Sequence, residues 1–323
     1  MTPLQFEAAH GPAWAELEAL LAPARRRGAR LDAARFARLY RAACEHLAVA
    51  RARGYPVGMV ERLEGLTGLA HQRIYAQSDY GLARLAQLFL VGFPRAVRAH
   101  AVHVWIALAC FGVPLVATGV ASYLDPGFIL AVHPVEQVVA YDHMYGDQAE
   151  GLGRRGAETD WAMFGVYIRN NIGIAFQCFA GGLVFGVGSI LLLAYNGLSA
   201  GSVAGYLTWR GHGDNFYSFV VTHGAFELPA IVLAGAAGLA LGGALLVPGR
   251  RTRLMALREA AQGAIVLVYG IAAMLLVAAA LEAFWSSQRW VDPFVKYAVG
   301  GVCWAVVLGY LVWQGRPRRE PPR

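Results

Sequence analysis

The order of apolar and polar positions divides this chain into two parts. In residues 1–80 apolar side chains return every three or four positions, the repeat of a helix with one buried face. Residues 6–22 put Trp14, Leu17, Leu20 and Leu21 on such a face. Gly28 punctuates, and Asp32 stands where a helix cap belongs. Residues 33–53 then carry Phe36, Leu39, Tyr40, Ala43 and Leu47 at helical spacing. Gly54-Tyr55-Pro56 ends that helix, and a third, over 57–76, carries Met59, Leu63, Leu66 and Ile74. None of the three buries its face alone, so the pattern predicts a small antiparallel bundle.

From residue 100 onward the short repeat gives way to long apolar runs. A helix needs about 20 mostly apolar residues to cross the hydrocarbon of a bilayer. Residues 101–123, 172–194, 219–247, 261–284 and 295–314 meet that need, and 197–211 is a shorter, Gly-rich candidate. Charge decides whether the short run counts. Residues 123–162 hold Asp125, Glu136, Asp142, Asp147, Glu150, Glu158 and Asp160 against Arg154 and Arg155, which reads as an external loop. The loop 248–258, PGRRTRLMALR, and the tail 315–323 are basic and read as cytoplasmic. Passing from outside to inside between these loops takes an odd number of crossings, so 197–211 must cross as well. Within the external loop, 127–145 predicts an amphipathic helix with Ile129, Leu130, Val135, Val138 and Val139 facing inward.

Residues 81–99 fit neither pattern cleanly. Leu82, Leu85, Leu88, Phe89 and Leu90 form an apolar face ringed by Arg84, Arg95 and Arg98, and Pro94 breaks the run. This is the make-up of an in-plane interfacial helix leading into the first span, and equally of a fourth bundle helix. The expectation is an all-α polytopic membrane protein with six transmembrane helices. It has a cytoplasmic helical region over 1–80, an interfacial amphipathic helix over 81–99 and a transmembrane domain over 100–314 with a structured external loop at 123–162. The basic tail over 315–323 is cytoplasmic, as is the N-terminus.

Composition agrees with two solvents for one chain. Hydrophobic residues make up 57% and charged residues 15%, where soluble domains carry about a quarter charged. The net charge of +7 sits in clusters that flank apolar runs, which points to the cytoplasmic face of a membrane protein and not to nucleic acid. Cys44, Cys110, Cys178 and Cys303 form no CxxC pair, so neither a disulfide framework nor a cysteine metal site is expected. The first 20 residues lack a basic start and an unbroken apolar run, so the first span is expected to act as an uncleaved signal.

Candidate chemistry concentrates in residues 222–231, THGAFELPAI. His223 and Glu227 are four apart and share one helix face inside a span, where a carboxylate is costly and marks function by default. Pro229 frees the carbonyl of Ala225 and bends the helix, while Gly224 admits a neighbouring backbone. Three readings stand: a structural polar tie between helices, ion or substrate handling at mid-membrane, and a metal site. The last lacks an HExxH motif and an evident third ligand, so no metal and no cofactor are expected. Arg169, Asn170 and Asn171 form a second cluster at the outer start of the second span. Arg169 either snorkels to headgroups or meets Glu227. Asn196-Gly197 reads as a helix stop between the second and third spans. Gly181, Gly182, Gly186 and Gly188, and Gly235, Gly238, Gly242 and Gly243, suit close helix packing. The GxGxxG and P-loop fingerprints and the serine nucleophile elbow are absent from the sequence.

Residues 170–201, NNIGIAFQCFAGGLVFGVGSILLLAYNGLSAG, followed by HGAFELPAIVLAGAAGLALG at 223–242, resemble the stage II sporulation protein M family of bacterial membrane proteins. The most specific element is His-Gly-x-x-Glu-x-Pro, matched by His223, Gly224, Glu227 and Pro229. LYRAACEHLAVARARGYP at 39–56 and AHQRIY at 70–75 resemble the cytoplasmic region of longer, non-sporulating members, so the similarity runs over nearly the whole chain. The resemblance implies a multi-span protein without catalytic activity. The family's namesake is a membrane scaffold for peptidoglycan-degrading partners. The longer members look like neighbours of MoxR-type ATPases, von Willebrand A domain proteins and RDD membrane proteins. The reading is therefore a non-enzymatic inner-membrane scaffold or assembly factor for envelope remodelling or stress. Its partners would be the bilayer, its own copy or other membrane proteins. A transporter component and an intramembrane metalloenzyme are the alternatives, and liposome flux or elemental analysis separates them.

Overall fold

The computed structural model describes residues 1–22, 32–75, 81–146, 157–288 and 290–316. Expectations for Gly28, for the loop charges at 147–156 and for most of the basic tail lie outside the described residues. Every regular element among those described is helical, and the chain divides into two compact units, Met1–Leu82 and Ala83–Arg323.

The first unit holds α1 (Pro3–Leu21), α2 (Ala33–Ala52) and α3 (Val57–Tyr75), each touching the other two. Helix α1 starts earlier than its apolar repeat suggests because Thr2 and Gln5 form a reciprocal cap ahead of Pro3. The Asp32 carboxylate accepts from the Ala34 and Arg35 amides and opens α2. Phe6, Trp14, Leu17, Phe36, Leu63 and Leu66 fill the core. The Trp14 indole donates to Nδ1 of His46 at 3.0 Å, and the His10 ring stacks on His46 at 3.9 Å. Around this core Arg62 bridges Glu18, Arg51 bridges Glu64 and Arg35 bridges Glu16.

The second unit begins with a helical run in three pieces: α4 (Gly81–Gln87), a π-turn (Leu88–Gly92) and α5 (Phe93–Ala99). Pro94 does not break it. The π-turn immediately before α5 accommodates Pro94, and the Phe89 carbonyl in that turn accepts from the Tyr310 hydroxyl. Residues from Ala83 on belong to the second unit, not to the bundle. Phe93, Pro94 and Val97 are buried there, Arg98 donates to the Leu311 carbonyl at 2.9 Å, and Arg95 donates to that of Gly315.

Next come α6 (Ala101–Leu124), a 3-10 turn (Pro126–Ala131), α7 (Val135–Tyr145), α8 (Ala157–Ala180), α9 (Val187–Trp209), α10 (Gly213–Leu246), α11 (Arg253–Leu281) with a π-turn (Glu282–Ser286), and α12 (Pro293–Trp313). Five of these, α6, α9, α10, α11 with its π-turn, and α12, are long and apolar enough to cross a membrane. This is a multi-pass membrane protein. Helix α10 is its axle, touching α6, α8, α9, α11 and α12.

The second and third apolar runs divide differently from the sequence expectation. The break falls at 181–186, not at Asn196-Gly197, so 157–180 and 187–209 replace 172–194 and 197–211 as helices. Phe185 and Gly186 take φ of 52° and 83° there, and the left-handed turn reverses the chain. Gly197 serves another purpose. Together with Gly201 and Gly205 it lays α9 on α6, where an added Cβ would strike the carbonyls of Phe111, Leu115 and Gly119 respectively. The two sets of numbers rise together, so α6 and α9 run parallel. Gly182 and Gly186 meet Gly238 and Gly242 of α10 in the same way. Gly224 has only side chains of its own helix nearby, so the close backbone approach occurs lower on α10 than expected.

The 124–146 region packs on α9. Ile129, Val138 and Tyr145 are buried against Val203, Tyr206 and Leu207. Leu130, Val135 and Val139 are exposed, because a 3-10 turn followed by a separate helix replaces the single helix expected. Asp142 accepts from Tyr206 at 2.8 Å and pairs with Arg210 at 3.1 Å.

Two outcomes follow. Gly201→Leu should cost about 1–3 kcal/mol or more, because backbone and not a flexible side chain must give way. Thermal melting in detergent should show a clear fall for it and none for Gly165→Ala, whose added methyl meets open space. In the first unit, burial and then His10 hold His46 below its usual 6.5. The unfolded chain thus binds more protons, and stability should decline as pH falls below about 6.5 and level off once His46 protonates in the folded unit. Urea unfolding of a 1–76 fragment between pH 7.5 and 5 checks this, and His46→Gln should flatten the decline.

Candidate functional site

A polar cluster lies where α8, α10 and the π-turn of α11 meet. Helix α10 sets His223 and Glu227 one turn apart, so the imidazole Nε2 stands 4.0 Å from a Glu227 oxygen. The helix runs on unbroken through Pro229, which is half-buried beside Leu228 on an apolar groove shared with α6 and α12. The π-turn supplies Glu282 and Ser286. One extra residue in that turn swings both toward α10, and the Ser286 hydroxyl comes within 3.0 Å of His223 Nδ1. Ligand atoms of His223, Glu227 and Glu282 all lie within 4.8 Å of one another.

Helix α8 contributes Asn171, which is 2% exposed and sets its side-chain amide against the Glu282 carboxylate. Its Nδ2 and one Glu282 oxygen are buried with no hydrogen-bond partner among the described residues. Lys296, in the first turn of α12, is also buried and donates to the Ser286 carbonyl at 2.9 Å. Thr222 accepts from the Trp285 indole at 3.3 Å, tying the π-turn to α10 a second time.

A cavity of about 250 Å³ lies between this cluster and α7, meeting the cluster at Ser286 and Lys296. Tyr145, Asn215, Phe219, Ser286 and Lys296 are among its lining residues. Burial, and next the charge of Glu282, push the Tyr145 phenol far above its usual range, so it stays protonated. The Tyr145 carbonyl accepts from the Asn215 amide at 2.8 Å and holds the mouth in place.

Of the sequence-predicted residues, the structure brings His223, Glu227 and Asn171 together. Arg169 and Asn170 are exposed on α8, with Arg169 about 200° round the helix from buried Asn171. Arg169 therefore does not meet Glu227. Asn170 donates to the Asn171 side-chain oxygen at 3.0 Å. Asn196 sits inside α9 and donates to the Leu192 carbonyl of its own helix, away from the cluster. Gly224 and Pro229 shape α10 without adding a polar atom. Glu282 and Lys296 were missed, although the rule that singled out Glu227, an ionisable residue inside an apolar run, applies to both.

The arrangement offers one imidazole nitrogen and two carboxylates within 4.8 Å of one another, behind the Ser286 that also lines the cavity. Such a set can hold a divalent transition metal, or share protons among its members. No curated protein and no solved structure matches the chain. Residues 4–76 match the model of a domain of unknown function, DUF8413. The family resemblance thus covers less than the whole chain, and the bundle carries a separate domain signature. Residues 101–287, which contain His223, Glu227, Asn171 and Glu282, match the model described as stage II sporulation protein M, and the chain belongs to that family.

Proposed function

We propose that this protein is a non-enzymatic scaffold or assembly factor of the bacterial inner membrane, acting in envelope remodelling or stress. The observation that carries the reading is the outer face of α8. That helix is not among the five apolar enough to cross by themselves, yet it packs on α9, α10 and α11. It turns Arg169 and Asn170 away from them, and Arg169 has no ion pair or hydrogen bond among the described residues. Hydrocarbon offers an arginine no partner, so Arg169 extends either to lipid headgroups or to a neighbouring protein, and the scaffold reading takes the second. The outer face of α8 is then an interface for a second copy or another membrane protein. Helix α8 is the sixth crossing in this reading, and both termini are cytoplasmic. The N-terminal bundle, with exposed Leu4, Val57 and Leu69, suits a cytoplasmic partner. A MoxR-type ATPase or an RDD membrane protein are the candidates that the family resemblance suggests.

Crosslinking in native membranes followed by mass spectrometry tests the scaffold. Peptides from α8 should link to a second copy or a distinct membrane protein, and Arg169→Leu should reduce that product at least about tenfold, an interface change of about 1.4 kcal/mol. Isolation of the chain alone under every crosslinking condition would refute the assembly role. Topology is checked separately in a cysteine-free background. A cysteine at Asp125 should label from outside intact cells, and one at Arg250 only after permeabilisation.

A further inference from the structure

We propose that His223, Glu227 and Glu282 form a binding site for a divalent transition-metal ion of the zinc class. Three observations converge. The ligand atoms of the three residues lie within 4.8 Å of one another. Ligands at about 2.1 Å from a tetrahedral zinc are about 3.4 Å apart, so the set must draw in by about 1 Å, a matter of small side-chain rotations. The second observation is the hydrogen bond between His223 Nδ1 and the Ser286 hydroxyl at 3.0 Å. A ligating histidine characteristically has its other ring nitrogen held by a neighbour, which fixes the ring and leaves Nε2 free to bind metal. Here Nε2 is the nitrogen that faces Glu227.

The third observation is polar capacity left unused. Asn171 is 2% exposed and sets its amide against Glu282, yet neither its Nδ2 nor one Glu282 oxygen reaches a partner at full hydrogen-bond geometry among the described residues. Two carboxylates held this close repel one another and have lost most of their hydration. Lys296 supplies one positive charge nearby through its contact with the Ser286 carbonyl. A divalent ion between Glu227 and Glu282 balances the rest and gives the unpaired Glu282 oxygen a bonding partner. The imidazole selects against magnesium and calcium, which take all-oxygen sets, and in favour of zinc, manganese, iron or cobalt. Three protein ligands leave at least one position for water or an outside ligand. The cavity of about 250 Å³ is lined by Ser286, the residue whose hydroxyl meets His223 Nδ1, so solvent space lies one side chain from the proposed site.

The test uses the full-length protein purified without chelators. Elemental analysis should find about one metal ion per chain as purified or after zinc dialysis. Glu227→Gln and Glu282→Gln should each fall below about a tenth of an ion under the same dialysis. Asn196→Ala, outside the cluster, should retain it. Cobalt(II) should give the visible absorption of a four-coordinate site and lose it on zinc addition, a readout on the unaltered chain that stands even where the variants fail to fold. Less than about a tenth of an ion in the wild type after titration with zinc, manganese and cobalt overturns the proposal and leaves a proton-sharing cluster. Full occupancy in both glutamine variants also overturns it, since the ion would then sit elsewhere. Neither failure bears on the scaffold reading, which rests on the outer face of α8.

Discussion

Backbone-to-backbone contact through glycine is the constraint on which the transmembrane unit depends. Lipid tails are as apolar as leucine, so helices in a bilayer gain little by hiding apolar side chains from them. What remains is close packing. Gly197, Gly201 and Gly205 let α9 lie directly on the carbonyls of α6, and Gly182 and Gly186 do the same against Gly238 and Gly242 of α10. Each contact leaves no room for a methyl group. Position along the helix axis is thereby fixed, because a slide of one residue would bring a side chain into the space of a backbone.

That fixed register makes the polar cluster possible. The reversal at Phe185 and Gly186 returns the chain against α10, and the Ser189 hydroxyl donates to the Cys178 carbonyl at 2.6 Å across it. With α8 anchored at its end, Asn171 falls level with Glu282, and Arg169, two residues earlier, falls on the opposite side. The π-turn completes the arrangement by carrying Glu282 and Ser286 toward α10. Polar groups this deep persist because each helix delivers its member to one place. A cluster left partly satisfied is expensive in a low-dielectric interior.

The same logic separates the two surfaces of α8. Its inner face supplies a buried amide to a cluster of acids. Its outer face presents Arg169. The N-terminal unit obeys ordinary aqueous rules, with Trp14 and Leu17 buried under α2 and α3 and its charges paired at the surface. Its separate domain signature agrees with a core that closes on itself.

The sequence by itself determined whatever depends on local averages and on spacing within one helix. Apolar runs marked the membrane part, the three-to-four repeat marked α1 to α3, Asp32 marked the start of α2, and a spacing of four put His223 and Glu227 on one face. It placed the break between α8 and α9 wrongly because Asn-Gly is a strong stop signal in water, while here the glycine is used for contact. Only the tertiary structure decided that Glu282 and Lys296 join the cluster, that Asn171 and not Arg169 faces inward, and that Asn196 stands apart. Convergence of side chains from different helices is set by crossing angle and register, and these follow from long-range backbone contacts that no single helix encodes.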